Sequence, residues 1–315
     1  MQEPVKVVIA LGGNALEEKG LPPTSESQMN VVAKTSEYIA ELSCCGYELA
    51  IVHGNGPQVG RIILASETAK DVTPALPFDV CSAMSQGYIG YHIQQALKKA
   101  LSKRGKEIPV VTVVTQVVVD EQDPAFKKPT KPIGPFYTEQ EARQLMQEKG
   151  YQMQEDSGRG WRRIVASPQP LDIVEIDTIK TLWDSTITIT CGGGGIPVIN
   201  TQEGGLQGVA AVIDKDLAAE RLAEGMAADI LMILTEVENV YLNFRQPNEQ
   251  KLGQISVQEA EKFIAEGHFA AGSMLPKMQA AVKFAKSKPG RKAIITSLYK
   301  AGEALEGKTG TVIMR

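Results

Sequence analysis

The chain has 315 residues, 43% of them hydrophobic and 22% charged, enough apolar content to bury a sizeable core. Acidic residues number 37 against 33 basic ones, a formal net charge of -4, and no Lys/Arg-rich block occurs, which argues against a nucleic-acid partner. No run approaches the ~18 apolar residues of a membrane span, and the first apolar run follows Glu3 without a basic leader, so neither a membrane partner nor a secretion signal is expected.

In chain order, β-branched runs predict strands over 5–11, 48–53, 110–119, 186–191, 229–235, 292–297 and 309–314. Between them lie helical patterns. The first is a stripe of Val31, Thr35, Tyr38, Ile39 and Leu42, opened by a Ser25-x-x-Gln28 capping box and closed by Gly46. Further helices are predicted over 82–104, 171–183, 215–223, 257–266 and 276–286. Strands alternating with helices indicate an α/β protein with a mostly parallel sheet between helix layers. The stretch 123–170 breaks this rhythm. Six prolines (Pro124, Pro129, Pro132, Pro135, Pro168 and Pro170) cluster at its ends, around one short helix near 139–149 and the basic run Gly158 to Arg163. It reads as a small subdomain inserted into, and protruding from, a single domain over 1–315; an ordinary long surface loop is the other reading.

Cys44, Cys45, Cys81 and Cys191 match neither zinc-ligand nor disulfide spacing, so a reducing cytoplasm fits best. His53, His92 and His268 are scattered, with no H-E-x-x-H and no G-x-S-x-G, which leaves those two hydrolase chemistries without support.

Three glycine clusters follow predicted strands: Gly12-Gly13-Asn14, Gly54-Asn55-Gly56 with Gly60, and Gly192 to Gly195. Such loops bring backbone close to a ligand and present helix N–H groups to anions, although any one of them could be a tight strand-to-helix turn. Gly302 to Thr309 matches G-x-x-x-x-G-K-[ST] but precedes a strand where a phosphate loop must open a helix, so the match is accidental. The second cluster has one residue too many for a dinucleotide fingerprint.

Two lysines sit where a helix dipole disfavours cations. Lys215 follows the N-cap candidate Asp214, and Lys277 follows Pro276 at the start of its helix. Each alone could be a solvated surface lysine; together with the glycine loops they suggest a shared polyanion. Lys131, held between Pro129 and Pro132, is a third candidate.

The blocks Ala10 to Ala15, His53 to Gly60, Pro129 to Pro135, Cys191 to Pro197, Val212 to Asp216 and Gly272 to Lys277 resemble, in order and over nearly the whole chain, the signature segments of the carbamate kinase family within the amino acid kinase superfamily. Ala10 occupies the position where many superfamily members carry the lysine of K-x-G-G, which is similar to the carbamate branch. The resemblance implies a three-layer α/β/α sandwich around a mostly parallel open sheet (the amino acid kinase fold), a homodimer, and reversible phosphoryl transfer between carbamoyl phosphate and MgADP, giving ATP and carbamate. By the same resemblance 123–170 is a lid, and Lys131, Lys215 and Lys277 surround the transferred phosphoryl group. Asp216 orients the lysines, Gly12, Gly13, Asn14, Gly54, Asn55 and Gly56 form the substrate cradle, and Tyr241 and Met274 face the adenine beside Lys215 and Lys277. Direct ligands for Mg²⁺ are not assigned. The alternatives are a superfamily kinase for an amino acid or nucleoside monophosphate, a catalytically silent nucleotide-binding regulator and, more remotely, a nicotinamide oxidoreductase.

Overall fold

Alternate residues of the central strands face two different apolar layers, and this period of two explains the three-layer architecture. Val7, Ile9 and Leu11 pack with Leu49, Ile51, Met232 and Leu234 against the helices Ser25–Cys44 and Phe78–Ser102. Val8 and Ala10 pack with Ala50, Val52, Leu231 and Ile233 against the helices Lys215–Gly225 and Met274–Ser287 on the other side. The computed structural model describes residues 4–18, 20–156 and 158–315.

The main sheet runs in the order Gln254–Ser256, Thr311–Met314, Lys292–Ser297, Ile230–Thr235, Lys6–Leu11, Glu48–His53, Ile187–Ile189, Val110–Thr112. Every neighbouring pair is parallel except Lys292–Ser297 with Thr311–Met314. The expected α/β/α sandwich with a mostly parallel open sheet is therefore present.

Several local expectations need correction. The predicted strand over 110–119 is two strands in two sheets: Val110–Thr112 stays in the main sheet, whereas Gln116–Val118 joins a second sheet with Asp172–Ile173, Ile196–Asn200 and Leu206–Gly208. Between them Thr115 is fully buried, and the Gln86 amide stands in for a strand partner. It donates to the Thr115 carbonyl (3.1 Å) and accepts from its N–H (2.8 Å), so the chain changes sheets without orphaning backbone groups. The helix expected over 171–183 starts only at Ile176, because 172–173 is that edge strand. The first helix is capped by Thr24, whose Oγ1 accepts from the Ser27 N–H (3.1 Å), while Gln28 accepts a hydrogen bond from the Tyr88 hydroxyl. The Ser25/Gln28 box is thus displaced by one residue. The helix Gly56–Thr68, after the second glycine cluster, was not predicted at all.

Within 123–170, Lys131–Tyr137 pairs antiparallel with Trp161–Val165, which pairs in turn with Met153–Glu155. The helix Glu139–Lys149 joins them, with a complete Thr138/Glu141 capping box and Gly150 closing it in the left-handed conformation. Ile133 and Val165 pack on Val59, Phe78 and Cys81, and Lys149 Nζ reaches Glu67 (2.8 Å) on the helix Gly56–Thr68.

The Gly192–Gly195 turn is filled by protein. A Cβ on Gly193 would lie 2.1 Å from the Asn55 amide, and one on Gly194 (φ +97°) would lie 2.1 Å from the Ile213 carbonyl oxygen. Gly194→Ala should therefore destabilise the fold by roughly 3 kcal/mol, since both a left-handed backbone and a backbone contact must give way. Urea unfolding checks this; an unchanged midpoint would mean the turn relaxes freely.

Candidate active site

The C-terminal ends of the adjacent parallel strands Ile230–Thr235, Lys6–Leu11 and Glu48–His53 open on one side of the sheet, where the chain order reverses about the first strand. Open α/β sheets bind ligands in such crevices. A cleft of about 1380 Å³ lies there, lined by Gly12, Gly13, Thr235, Tyr241, Phe244, Met274 and Lys277 among others.

Lys277 links the cleft to a buried charge cluster. Its Nζ donates to Asp216 Oδ2 (2.8 Å), and Lys215 Nζ donates to Asp216 Oδ1 (2.5 Å). Asp216 is 3% exposed. Lys131 Nζ reaches Asp214 Oδ2 (3.3 Å), and Asp214 Oδ1 accepts from the Asp216 N–H (3.0 Å) as the N-cap of Lys215–Gly225. The three lysines are thus brought together through two neighbouring aspartates. Lys215 lies at the first position of its helix and Lys277 at the fourth of Met274–Ser287, as their sequence context suggested. Asp214 and Asp216 offset the unfavourable dipole at the first of these helix ends.

Burial alone would raise the Asp216 carboxyl, but Lys215 and Lys277 outweigh it and hold it at about 2. Burial lowers Lys215, with Lys277 adding to that effect, while Asp216 opposes it. The buried His53 ring is pushed down to about 4 by burial, helped by the nearby Lys215 charge and opposed by its hydrogen bond with the Gly54 carbonyl (2.8 Å). At neutral pH Asp216 is ionised and His53 is neutral.

The first two glycine loops differ from the third glycine cluster. Among the described residues, no atom beyond the adjoining backbone and chain neighbours lies within 4 Å of where a Cβ on Gly13 or Gly56 would stand, so space remains at both. Gly54 lies under the Lys215 stem, whose Cδ would be 3.7 Å from an added Cβ. Gly12 starts the short 3₁₀ turn Gly13–Ala15; the Asn14 side chain lies outside the described residues. Asn55 is buried, and its amide donates to Ser85 Oγ (2.8 Å), so it braces the loop from behind. Neither Asn55 nor Ser273 caps its helix with a side-chain hydrogen bond, unlike Thr24, Thr138 and Ser256 elsewhere, which leaves N–H donors at the starts of Gly56–Thr68 and Met274–Ser287.

Tyr241 and Met274 both line the cleft, with Phe244, His268 and Phe269 beside them. Sequence reasoning missed those last three, and it assigned Asp214 only a capping role. No periodicity marks them; they meet by tertiary folding. Among the described residues, no cluster of three His, Cys, Asp or Glu side chains could hold a metal. Each carboxylate oxygen of Asp214 and Asp216 already accepts a hydrogen bond. A divalent ion here would be held mainly by phosphate oxygens and water, the usual habit of Mg²⁺. No helix of the described residues is long and apolar enough to cross a membrane.

Residues 5–297 match the model of the amino acid kinase family. The chain is 54% identical to a carbamate kinase of Pyrococcus horikoshii over 98% of this chain and 99% of that protein. It is 56% identical to a carbamate kinase-like protein of Escherichia coli over 98% of each chain. Among solved structures, a carbamate kinase from Giardia lamblia bound to AMP-PNP superposes with a TM-score of 0.95 at 45% identity, covering 100% of this chain and 99% of that one.

His53 supplies a pH test of the site's packing. Its pKa is lower folded than unfolded, so its stabilising contribution is present above about 6.5 and is lost as pH falls toward about 4. Over that window wild type should lose about 3 kcal/mol of unfolding free energy that a His53→Gln variant retains. Parallel urea titrations of the two proteins measure the difference; identical pH slopes would mean His53 is not held neutral.

Proposed function

The chain belongs to the amino acid kinase family, on its carbamate kinase branch, and we propose that it transfers a phosphoryl group between carbamoyl phosphate and MgADP, giving carbamate and ATP reversibly. The observation that carries this reading is the junction of an aromatic-lined cleft with three converging lysines. Adenine lies against Tyr241, Phe244 and Met274, and the phosphates extend past Lys277 toward Gly12, Gly13 and the Asn14 turn. Gly54 and Gly56 face the carbamoyl phosphate, with Asn55 bracing their loop.

Neither reactant needs a protein base, because carbamate already carries an anionic oxygen and the ADP phosphate is ionised at neutral pH. The obstacle is bringing like charges together: at ~4 Å each unit pair repels by ~4 kcal/mol at an effective dielectric near 20. Lys215 and Lys277, fixed by Asp216, and Lys131, near Asp214, offset that repulsion. They also stabilise charge on the equatorial oxygens as the group moves in line. Mg²⁺ enters with the nucleotide and neutralises part of its phosphate charge. A neutral, buried His53 fits this scheme.

The segment 123–170 acts as the lid over the carbamoyl side. Supporting this, it carries Lys131 on its first strand and is seated on the helix that follows the second glycine loop. The protein works as a homodimer. Supporting that, Val80, Met84 and Tyr91 form an exposed stripe one helical turn or two apart on Phe78–Ser102, with exposed Leu76 beside Met84. Free thiols at Cys44, Cys45, Cys81 and Cys191 suit a cytoplasmic site of action.

The deciding assay is ATP formation from ADP and carbamoyl phosphate with Mg²⁺, alongside amino acids and nucleoside monophosphates as rival phosphoryl acceptors from ATP. Lys215→Ala, Lys277→Ala and Asp216→Asn should each lower kcat by roughly 10²–10⁴ with the fold intact by circular dichroism. Lys131→Ala should raise KM for carbamoyl phosphate more than for ADP. Near-normal turnover in a folded Lys215→Ala or Lys277→Ala protein would overturn the roles given to them. Met84→Glu should shift the mass measured by light scattering from dimer toward monomer; an unchanged mass would place the interface elsewhere.

A further inference from the structure

Behind Asp216, one turn further along the same helix, stands a second buried carboxylate that the reaction scheme does not use. Glu220 is 0% exposed, and its Oε2 accepts from Lys283 Nζ (2.6 Å) on the helix that carries Lys277. The two helices are therefore joined by two acidic–basic pairs, Asp216 with Lys277 and Glu220 with Lys283. Small, fully buried Ala218, Ala219, Ala280 and Ala281 lie in the same core cluster, which permits close helix approach. Glu220 Oε1 is buried and accepts no hydrogen bond, an unusual cost for a merely structural ion pair.

We propose that Glu220 is a positioning residue: ionised, it draws Lys283 and its helix inward and so sets the distance from Lys277 to Asp216 and to the phosphoryl group. This rests on the phosphotransfer reading above. The groups facing Glu220 are Lys283 from the opposite helix and Glu224 from its own. Around Glu224, Arg221 donates to its carboxylate (3.4 Å) and approaches Asp172 of the neighbouring edge strand (3.6 Å), while Arg291 donates to the Glu224 backbone carbonyl (3.4 Å). Burial raises the Glu220 carboxyl to about 7, with Lys283 opposing and Glu224 assisting. When protonated, Glu220 can donate its proton to Glu224, which satisfies the orphaned oxygen and removes the charge that holds Lys283.

Stability and rate then move oppositely with pH. A carboxyl whose pKa is higher folded than unfolded contributes stability that is complete below about 4.5 and is lost as pH rises through about 7. The ionised form, favoured above 7, is the faster one. A neutral amide imitates the protonated state, keeping an acceptor for Lys283 and offering a donor to Glu224.

The test compares wild type with Glu220→Gln from pH 6 to 8.5. At pH 8 the variant should melt no lower than wild type yet show kcat reduced about 5- to 20-fold, with both KM values within about threefold. The wild-type to variant kcat ratio should shrink toward one as pH falls below 7; substrate ionisation is common to both proteins and cancels. Lys283→Met should give a similar loss, and the double variant should be no slower than either single one. Equal kcat at pH 8, a pH-independent ratio, or a kcat loss that merely tracks a lowered melting temperature would overturn the proposal. Lysine side-chain NMR of the ligand-free protein provides a reading that needs no turnover. Lys215 and Lys277 signals should shift in Glu220→Gln, and in wild type as pH crosses 7; unmoved signals would likewise overturn it. A wild type that makes no ATP would sink the phosphotransfer reading instead, leaving the NMR result to judge Glu220.

Discussion

One buried carboxylate, Asp216, holds two lysine ammonium groups together in the protein interior. Each of the three groups would be costly to bury alone, since taking a charge out of water costs several kcal/mol even after relaxation. Lys215 shows this pressure directly: burial pushes it toward the neutral form and Asp216 resists. The pairs with Lys131 and Asp214 included, three positive groups face two negative ones, so one positive charge is left over. An enclosed surplus of that sign is unfavourable by itself and would be relieved by an anion such as the phosphoryl group of the proposed reaction. Electrostatic preorganisation of this kind concentrates stabilisation where charge develops in the reaction.

The fold makes such a cluster possible by bringing distant segments to one sheet end. Lys215 and Asp216 start one helix, Lys277 lies in the first turn of another, and both helices pack on the same face of the sheet through Leu222, Ala223, Ala281 and Ala285. Beside the start of the first helix, Gly193 and Gly194 leave room for Asn55 and the Ile213 carbonyl, which locks the segment leading into Asp214 against the second glycine loop. Gly13 and Gly56 have open space where a Cβ would stand, whereas a Cβ at Gly192, Gly193, Gly194 or Gly195 would meet His53, Asn55, Ile213 or Val117. One residue type thus leaves open space in two loops and permits close packing in the third.

The sequence signalled the central strands because residues buried on both faces must be apolar throughout, and 48–53 and 292–297 coincide with the observed strands residue for residue. Lys215 and Lys277 stood out because a cation at a helix start runs against the dipole, a conflict that the paired Asp216 offsets in the fold. Other features had no local signal. Gly56, Pro57 and Gly60 depress helix propensity, so Gly56–Thr68 was invisible until its packing against 123–170 was known. The break at Thr115 depends on Gln86, 29 residues away. Glu220 looked like any charged residue on an amphipathic helix, and only its fully enclosed position separates it from its exposed counterparts.

The three lysines are held by different physics. Side chains of Lys215 and Lys277 are 15% and 13% exposed and share one enclosed carboxylate, so their geometry is fixed by interactions that water screens little. Lys131 is 37% exposed, and its 3.3 Å contact with Asp214 is of the solvent-facing kind that contributes little by itself. Its placement instead follows from the strand it starts, whose Ile133 is buried with Val165 against Val59, Phe78 and Cys81. Apolar seating of the 123–170 segment therefore does for Lys131 what Asp216 does for the other two. The position of the third charge thus depends on how an apolar segment packs, whereas that of the first two depends on a shared buried carboxylate.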